Sequence, residues 1–280
     1  MGRKNKVSLT KRIYYFLKKQ LELRRYKGVE TYELKLRSVE AVFSTTDAYS
    51  KGWFFPRYDK GKYHEPTATN LFIDEIKPEY CVFDIGTNLG FFTCISGKLA
   101  AKGSVHSFEV DENCILLIEK NCRLNGLSNV TINNCAVSDN DETEKIPVSA
   151  KPNPRLKVST TESPNLHYIE VKALQIDTYI KQKNLLPDFI KIDVEGAELK
   201  VLKGMVNTLK KPQLKLLIEV HVPNLKDYFN TDYKDLLGLL FQNGFSIKEL
   251  KEHRKNKNEF REINGQSELH GNTMIYAFKS

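Results

Sequence analysis

From Tyr80 onward the chain alternates short apolar segments with amphipathic segments of helical length. Strands are predicted in CVFDIG, SVHSFEV and VTINNCAVS, and the helices between them begin near Phe91 and Asp111. Strands that follow each other with a helix between them pair in parallel through right-handed crossover connections. The sequence therefore predicts an α/β fold with a doubly wound, mostly parallel sheet.

The alternation stops between Asp139 and about His167, where four prolines stand among polar residues. A loop of this length is typical of a lid over a functional site, and a surface insertion without such a role is the alternative. The alternation then resumes and continues almost to the end of the chain. Strands are predicted in LHYIEVKALQ, DFIKIDV, LKLLIEVH, FSIKEL and MIYAFK, and helices after Asp177, in GAELKVLKGMVNTLKK and in DYKDLLGLLFQNG.

The positive charge of the chain is concentrated at its N-terminus. Residues 1–27 contain ten lysines and arginines and one glutamate, a net charge of +9, whereas the whole chain has +8 and the remainder therefore −1. The basic character belongs to this segment and says little about the rest of the chain. We divide the chain into a basic amphipathic helix (1–28), an aromatic-rich extension of strands and helix (29–79) and the main α/β domain (80–280).

Leu9, Ile13, Phe16, Leu17 and Leu21 recur at helical spacing within the basic segment. A basic amphipathic helix of this kind either lies on an anionic membrane surface or packs its apolar stripe on the body of its own protein. We favour packing on the body, because apolar stripes on helices more often face a protein core. Peripheral contact of residues 1–27 with a membrane is the alternative.

Composition and cysteine usage narrow the class of protein. The chain is 40% hydrophobic and 28% charged, and no run approaches the roughly 20 apolar residues needed to cross a bilayer. The N-terminus lacks the apolar core of a secretory signal, so we expect a cytoplasmic protein, with any peripheral contact at the inner face of the membrane. The five cysteines form no C-x-x-C pair, which predicts reduced thiols without disulfides or zinc.

The first predicted strand of the main domain ends in the turn DIGTNLG, at the start of a helix. A dinucleotide-binding turn needs a third glycine where Phe91 stands, and Asp84 would repel a diphosphate. S-adenosylmethionine instead carries an ammonium and a sulfonium and no phosphate. Asp84 is predicted to attract the ammonium, Gly86 and Gly90 to let the backbone approach the ligand, and Asn88 to add a polar contact.

A second acid follows at the end of the next predicted strand, where Glu109 stands 25 residues after Asp84. Neighbouring parallel strands end at the same edge of a sheet, so this carboxylate can accept hydrogen bonds from both hydroxyls of a ribose. Taken alone, Glu109 is also compatible with capping the helix that follows. Together with the acidic turn, it predicts a site for S-adenosylmethionine.

The segments DIGTNLGFFT, FEVD, CAVSD, DFIKIDVEGAELKVLKG and IEVH resemble the FkbM-type methyltransferases, a branch of the class I, Rossmann-like S-adenosylmethionine-dependent enzymes. The resemblance covers about Phe83 to Phe245 and implies a seven-stranded sheet and methylation of a hydroxyl on a sugar, a polysaccharide or another small molecule. Val110 departs from the usual proline and Thr87 from a common alanine, and both leave the backbone usable. The residues predicted to contact the cofactor are Asp84, Gly86, Thr87, Asn88, Gly90, Phe91, Glu109, Val110, Ala136, Val137 and Asp193.

Two further predicted strands end in acids. Asp193 and Glu195 end the first, and Glu219 and His221 end the second. If these strands are neighbours, as class I topology implies, an acceptor hydroxyl would meet three acids and an imidazole at the carboxyl edge of the sheet. His221 is the predicted general base, because a neutral alcohol is a weak nucleophile and imidazole titrates in the useful range.

Two alternatives remain open for these side chains. A divalent cation such as Mg²⁺, held by Asp193 and Glu219 with Glu195 as a further candidate ligand, would lower the pKa of the acceptor hydroxyl, in analogy with catechol-type O-methyltransferases. The other alternative is that the acids and His221 only cap the segments that follow the strands. We rank the general base first.

Aromatic side chains are concentrated in residues 51–66, KGWFFPRYDKGKYHEP. Aromatic faces suit a sugar ring, so this segment is a candidate wall of the acceptor pocket. For any single side chain, packing as a strand and turn on the edge of the sheet is the alternative. Glu65 is a weak candidate for contact with the cofactor. The candidate wall residues are Trp53, Phe54, Phe55, Tyr58, Tyr63 and His64.

Two other functions are compatible with parts of the sequence. The basic arm suits a nucleic-acid methyltransferase, but the chain lacks an N/D-P-P-aromatic signature and has no cysteine after Cys135 to attack a pyrimidine. The net charge of −1 outside the arm also offers little grip on phosphates. A domain that binds S-adenosylmethionine without catalysis is the second alternative. We expect an enzyme that acts on a small-molecule or carbohydrate hydroxyl and not on nucleic acid.

Overall fold

The computed structural model describes residues 9–148, 167–255 and 257–279. The helices in these ranges are α1 (Leu9–Arg25), α2 (Ala48–Tyr58), α3 (Pro66–Glu75), α4 (Phe91–Leu99), α5 (Glu112–Leu124), α6 (Ile176–Lys183), α7 (Glu198–Lys203), α8 (Val222–Phe229) and α9 (Tyr233–Gln242). The strands are β1 (Thr31–Leu36), β2 (Val39–Ser44), β3 (Cys81–Ile85), β4 (Ser104–Glu109), β5 (Val130–Asn134), β6 (Ala136–Val137), β7 (Thr143–Val148), β8 (His167–Leu174), β9 (Phe189–Ile192), β10 (Lys215–His221), β11 (Ser246–Lys251), β12 (Glu259–Ile263) and β13 (Asn272–Phe278).

An eight-stranded sheet forms the centre of the molecule, in the order β12-β11-β13-β10-β9-β3-β4-β5. The strands from β10 to β5 pair in parallel, and β13, β11 and β12 add antiparallel pairs at the other side. This confirms the doubly wound, mostly parallel sheet, with β12 as an edge strand that the sequence analysis did not predict. The strand order reverses between β3 and β9, and ligands of such sheets bind at the carboxyl ends of strands at this point.

A three-stranded sheet lies beside the central one. The predicted strand VTINNCAVS divides into β5, which joins the central sheet, and β6, which pairs with β8. The loop predicted to begin at Asp139 is wrong for Thr143–Val148, because these residues form β7 and pair antiparallel with β8. The backbone groups of β7 thereby gain ladder partners that a loop would leave to solvent. The rest of the predicted lid, residues 149–166, lies outside the described residues.

The extension before the central sheet begins with the β1–β2 hairpin. Its backbone is tied to α5, because the amides of Val42 and Ser44 donate to the side-chain oxygens of Asn125 and Asn121. The strand and turn considered for residues 51–66 is wrong, since residues 48–58 form α2. The carboxylate of Asp47 accepts from the amides at the start of this helix, and this N-cap favours the helix over an extended segment.

Helix α1 stands apart from the core. The predicted packing of its stripe on the body is wrong for Ile13, Phe16, Leu17 and Leu21, which are between 50% and 65% exposed. The chain returns to the body just after the helix, where the ring of Tyr26 stacks on Phe55 with centroids 3.6 Å apart. The aromatic residues of α2 already cover the core next to Tyr26, so the core does not require the apolar stripe of α1. Within the described ranges, no helix combines the length and apolar character needed to cross a bilayer.

Candidate active site

A cavity of about 830 Å³ opens at the carboxyl ends of β3, β4, β9 and β10. Of the residues predicted from the sequence to bind the cofactor or to act in catalysis, all except Asp84 and Gly90 line it. The residues predicted to bind the cofactor and those predicted to act on the acceptor therefore line the same cavity. The predicted residues in its wall are Gly86, Thr87, Asn88, Phe91, Glu109, Val110, Ala136, Val137, Asp193, Glu195, Glu219 and His221.

The turn after β3 packs directly on the segment that follows β9. Gly86 has a φ of 80°, and a Cβ placed on it would lie 1.8 Å from the carbonyl oxygen of Asp193. The hydroxyl of Thr87 donates to the carbonyl of Asp84 and fixes the turn from within. Gly86 is thus required by the contact between two loops of the protein itself, and this contact joins the two walls of the cavity.

Asp84 lies behind the cavity wall. Its side chain is 1% exposed, and the hydroxyl of Thr93 donates to one carboxylate oxygen at 2.7 Å. The other oxygen is buried without a hydrogen-bond partner among the described residues. Burial raises the pKa of Asp84, and the nearby charge of Lys191 opposes that rise. The predicted attraction of Asp84 for an ammonium group would have to act through the wall, and it stays a prediction.

Glu109 ends β4 with its carboxylate fixed by the backbone. One oxygen accepts from the amides of Val110 and Asp111, and the other accepts from the amide of Asn88 at 2.7 Å. Burial raises the pKa of Glu109 to about 7, against the lowering effect of these hydrogen bonds. The capping alternative is only partly right, because the N-cap of α5 is Asp111. Glu109 faces the cavity next to an apolar wall formed by Phe108, Val110, Cys135, Ala136, Val137 and Ile146.

The other end of the cavity is built around His221. Its Nε2 lies 4.0 Å from Oδ1 of Asp193, 3.6 Å from Oε2 of Glu195 and 3.9 Å from Oε1 of Glu219. The pairing of β9 with β10 places these side chains together, as the sequence analysis expected. Asn224 on α8 holds Glu195 in position by donating to both its backbone carbonyl and its carboxylate.

Glu198 is a partner of His221 that the sequence analysis missed. Its Oε1 lies 2.8 Å from Nδ1 of His221, and the residue has no exposed surface. The same oxygen accepts from the amide of Gly196. Although burial alone would lower it, the hydrogen bond and charge of Glu198 raise the pKa of His221 to about 9. The available signal was the second glutamate of EGAE, which stands three residues after Glu195.

Lys191 is a second residue that was missed. It is 2% exposed, and its Nζ lies 3.1 Å from Oδ2 of Asp193 and 4.8 Å from the ring centre of Phe92. Its charge helps to hold the pKa of Asp193 below the usual range, although burial by itself acts in the opposite direction. Asp193 therefore remains an anion in a partly desolvated site. A lysine inside an apolar strand gave a signal that the sequence analysis did not use.

The end of the cavity around His221, with Asp193, Glu195 and Glu219, is called the acidic end. It extends toward the surface through Glu65, His253 and Arg254. Glu65 is buried with a φ of 46°, and its Oε1 lies 4.0 Å from Nε2 of His253 and 3.8 Å from Nε of Arg254. Arg254 also approaches Oε1 of Glu219 at 3.5 Å. Burial and the charges of Asp193 and Glu65 raise the pKa of Glu219 to about 8. Glu65 thus lines the same cavity near Glu219, and its contact with the cofactor stays a prediction.

The donor atoms for the predicted divalent cation are close together but already have cationic partners. Two groups bring their donor atoms within 4.8 Å of one another, Asp193 with Glu219 and His221, and Glu65 with Glu219 and His253. Lys191 neutralises Asp193 in the first group, and Arg254 lies beside Glu65 and Glu219 in the second. A divalent ion would compete with both cations, so these residues fit one poorly.

The aromatic segment contributes less to the cavity than predicted. Trp53 and His64 line it, together with Pro56 and Arg57, whose guanidinium lies 4.7 Å from the ring centre of Trp53. The other four predicted wall residues are absent from the cavity lining, and Phe54 and Tyr58 pack in the core. A helix presents only one side to the cavity, whereas the predicted strand and turn would have alternated. Most of these side chains therefore pack in the protein, as the alternative expected, but they do so from a helix and not from a strand and turn on the edge of the sheet.

A doubly wound sheet with the order found here, an acidic glycine turn after β3 and a buried acid at the end of β4 defines a class I, Rossmann-like methyltransferase domain. The sequence model described as the Methyltransferase FkbM domain matches residues 84–247, more than half of the chain. The chain belongs to the FkbM methyltransferase family. This confirms the resemblance carried by DIGTNLGFFT and IDVEGAE.

Similar proteins include the hexuronic acid methyltransferase AglP of Haloferax volcanii, which is 29% identical over 179 residues, 63% of this chain and 67% of that protein. The ribosomal protein L11 methyltransferase of Caldanaerobacter subterraneus subsp. tengcongensis is 39% identical over 71 residues, only 25% of this chain and 23% of that protein. The crystal structure of the FkbM methyltransferase of Methylobacillus flagellatus has a TM-score of 0.46 and 18% identity, and the match covers 72% of this chain and 44% of that one.

Proposed function

We propose that this chain transfers a methyl group from S-adenosylmethionine to a hydroxyl of a sugar or polysaccharide. The observation that carries the proposal is the pair formed by His221 and Glu198 at the cavity wall. A buried carboxylate fixes one ring nitrogen of His221, and the other lies among three acids that line the same cavity. This is the arrangement that a general base for an alcohol requires.

The residues around Glu109 suit the nucleoside part of S-adenosylmethionine, which supplies an electrophilic methyl group when bound. A carboxylate has about four lone-pair sites, so Glu109 can accept from ribose hydroxyls while it keeps its backbone bonds. Val110, Ala136 and Val137 offer an apolar surface to adenine. The acids at the opposite end favour the cationic part of the ligand over a phosphate. The residues of the cavity therefore fit this cofactor.

His221 would take the proton of the acceptor hydroxyl on its Nε2. Glu198 accepts from Nδ1–H, fixes the tautomer that leaves Nε2 free of a proton, and stabilises the imidazolium that forms. At a pKa of about 9 the free protein holds His221 protonated at neutral pH. His221 would lose this proton more readily once a cationic ligand occupies the cavity, because a positive charge lowers the pKa of an imidazole, and Nε2 would then be free to take the proton of the acceptor hydroxyl.

The acceptor class rests on two supports. AglP, which is similar to this chain over 179 residues, is a hexuronic acid methyltransferase. The acceptor end of the cavity is lined by Trp53 and several carboxylates, and sugar rings are bound in proteins by aromatic side chains together with polar acceptors. A sugar hydroxyl meets both requirements.

The test combines cofactor binding with analysis of the methylated product. Titration calorimetry with S-adenosylhomocysteine should give a single site, and a radiolabelled methyl donor should label hexuronic acids, neutral sugars or polysaccharides. The label is then treated with mild alkali, which removes a methyl ester and leaves a methyl ether. An alkali-stable product that His221→Ala fails to form supports the proposal. Absence of cofactor binding, or label that alkali removes, contradicts it.

A further inference from the structure

Helix α1 presents large apolar side chains to solvent. Ile13, Phe16, Leu17 and Leu21 are 50%, 60%, 54% and 65% exposed. At 100° per residue, their positions fall within an arc of roughly 140° on one side of the helix. Gln20 and Arg24 fall within the same arc, and the four large apolar side chains still form an exposed face of the kind that marks a surface covered by a partner.

The charge around this face selects the partner. Residues 1–27 have a net charge of +9, and Arg24, Arg25 and Lys27 at the end of the helix are exposed. A second copy of the chain would place two segments of charge +9 against each other, and they would repel. A nucleic acid would pair with the positive charge but would leave the apolar arc uncovered. An anionic bilayer offers phosphate headgroups to the basic residues and acyl chains to the apolar ones.

We propose that α1 is an interfacial helix that docks the protein on an anionic lipid bilayer. Its apolar arc enters the boundary between headgroups and acyl chains, and its lysines and arginines remain at the headgroups. The continuity of α1 supports this geometry, because the apolar arc and the basic residues belong to one helix, Leu9–Arg25.

The docked helix would be joined to the wall of the cavity. Tyr26 follows α1 directly, its ring stacks on Phe55 of α2, and its hydroxyl donates to Asp59. Helix α2 also supplies Trp53 and Arg57 to the cavity. Two adjoining helices therefore connect the lipid surface with the acceptor end of the site. The docking itself does not depend on which acceptor is methylated.

Sedimentation of the full-length protein with vesicles tests the proposal. Vesicles of phosphatidylcholine with phosphatidylglycerol should bind the protein, and vesicles of phosphatidylcholine alone should bind it far less. The double variant Leu17→Glu, Leu21→Glu should lower the partition coefficient by about tenfold or more. The matched control is Leu116→Glu on α5, because Leu116 is 64% exposed on the body of the protein. This control should bind as the unmodified protein does.

The charge contribution is tested separately with Arg24→Gln, Arg25→Gln, which should weaken binding to the anionic vesicles by about tenfold and reduce its dependence on salt. The proposal is overturned if the unmodified protein ignores both kinds of vesicle, or if the Leu17 and Leu21 variant binds them normally. It is also overturned if light scattering finds a dimer that this variant dissociates. Tighter binding to RNA than to vesicles, unchanged in the same variant, would likewise overturn it.

Discussion

Nδ1 of His221 lies 2.8 Å from Oε1 of Glu198, a carboxylate with no exposed surface. The two residues come from different segments, the end of β10 and the start of α7, and the contact forms because β9 and β10 are neighbours. The buried acid gives the imidazole a fixed orientation and a raised pKa. The proposed chemistry depends on this pair more than on any other contact in the cavity.

Replacement of His221 by alanine should remove the base and leave the nucleoside end intact. We expect turnover to fall by about a hundredfold or more, since general-base catalysis contributes roughly 10² to 10⁴. Titration calorimetry should give an affinity for S-adenosylhomocysteine close to that of the unmodified protein. Near-normal turnover of His221→Ala would remove His221 from the mechanism.

The rate should depend on pH with an ascending limb. Because burial and Glu198 together set the pKa of His221 at about 9, the imidazole holds its proton at neutral pH and gains base character as pH rises. We expect kcat/KM at saturating cofactor to increase with pH up to an apparent pKa no higher than about 9. Measurement across buffers of constant ionic strength checks this.

Glu198→Gln should shift this limb. Removal of the negative charge lowers the pKa of His221, so the limb should move to lower pH by about one to three units. Maximal turnover should fall as well, because the amide no longer stabilises an imidazolium. Glu119→Gln on α5 serves as the control, because the side chain of Glu119 is 43% exposed and lies outside the cavity lining. A limb that stays in place in Glu198→Gln would mean that another group titrates.

Gly86→Ala should destabilise the protein through its contact with Asp193. The added Cβ would lie 1.8 Å from a backbone carbonyl, so the two loops must separate. Gly126→Ala is the matched control, because Gly126 also has a positive φ but has nothing within 4 Å of the added atom. We expect about 1 kcal/mol of destabilisation in the control and about 3 kcal/mol or more in Gly86→Ala by urea unfolding. Equal losses would contradict the contact.

Chelation should leave turnover unchanged. Lys191 and Arg254 already lie beside the carboxylates of Asp193 and Glu219 and occupy the role that a divalent cation would have. Dialysis against EDTA, followed by assay with and without Mg²⁺, measures this directly. Loss of activity that Mg²⁺ restores would show that the cation displaces these side chains.

The sequence was sufficient to predict features that depend on local pattern. The ends of β3, β4, β9 and β10 and the acids that stand on them follow from short apolar runs, and parallel pairing then brings them to one edge. Glu198 was missed because its partner His221 lies 23 residues away in the chain, and Lys191 was missed although its partner Asp193 is two residues away. Helix α2 was missed because closely spaced aromatic residues suit a strand as well as a helix, although the cap at Asp47 was visible.

The contact between Gly86 and Asp193 has a consequence for changing what this protein modifies. Since the turn and the segment after β9 meet backbone to backbone at Gly86, there is no room for a side chain at this position, and the two loops must shift together. Helices α2 and α8 meet the cavity through side chains such as Trp53 and Asn224. New acceptor preferences are therefore accessible by substitution along these helices, while the contact between Gly86 and Asp193 stays unchanged.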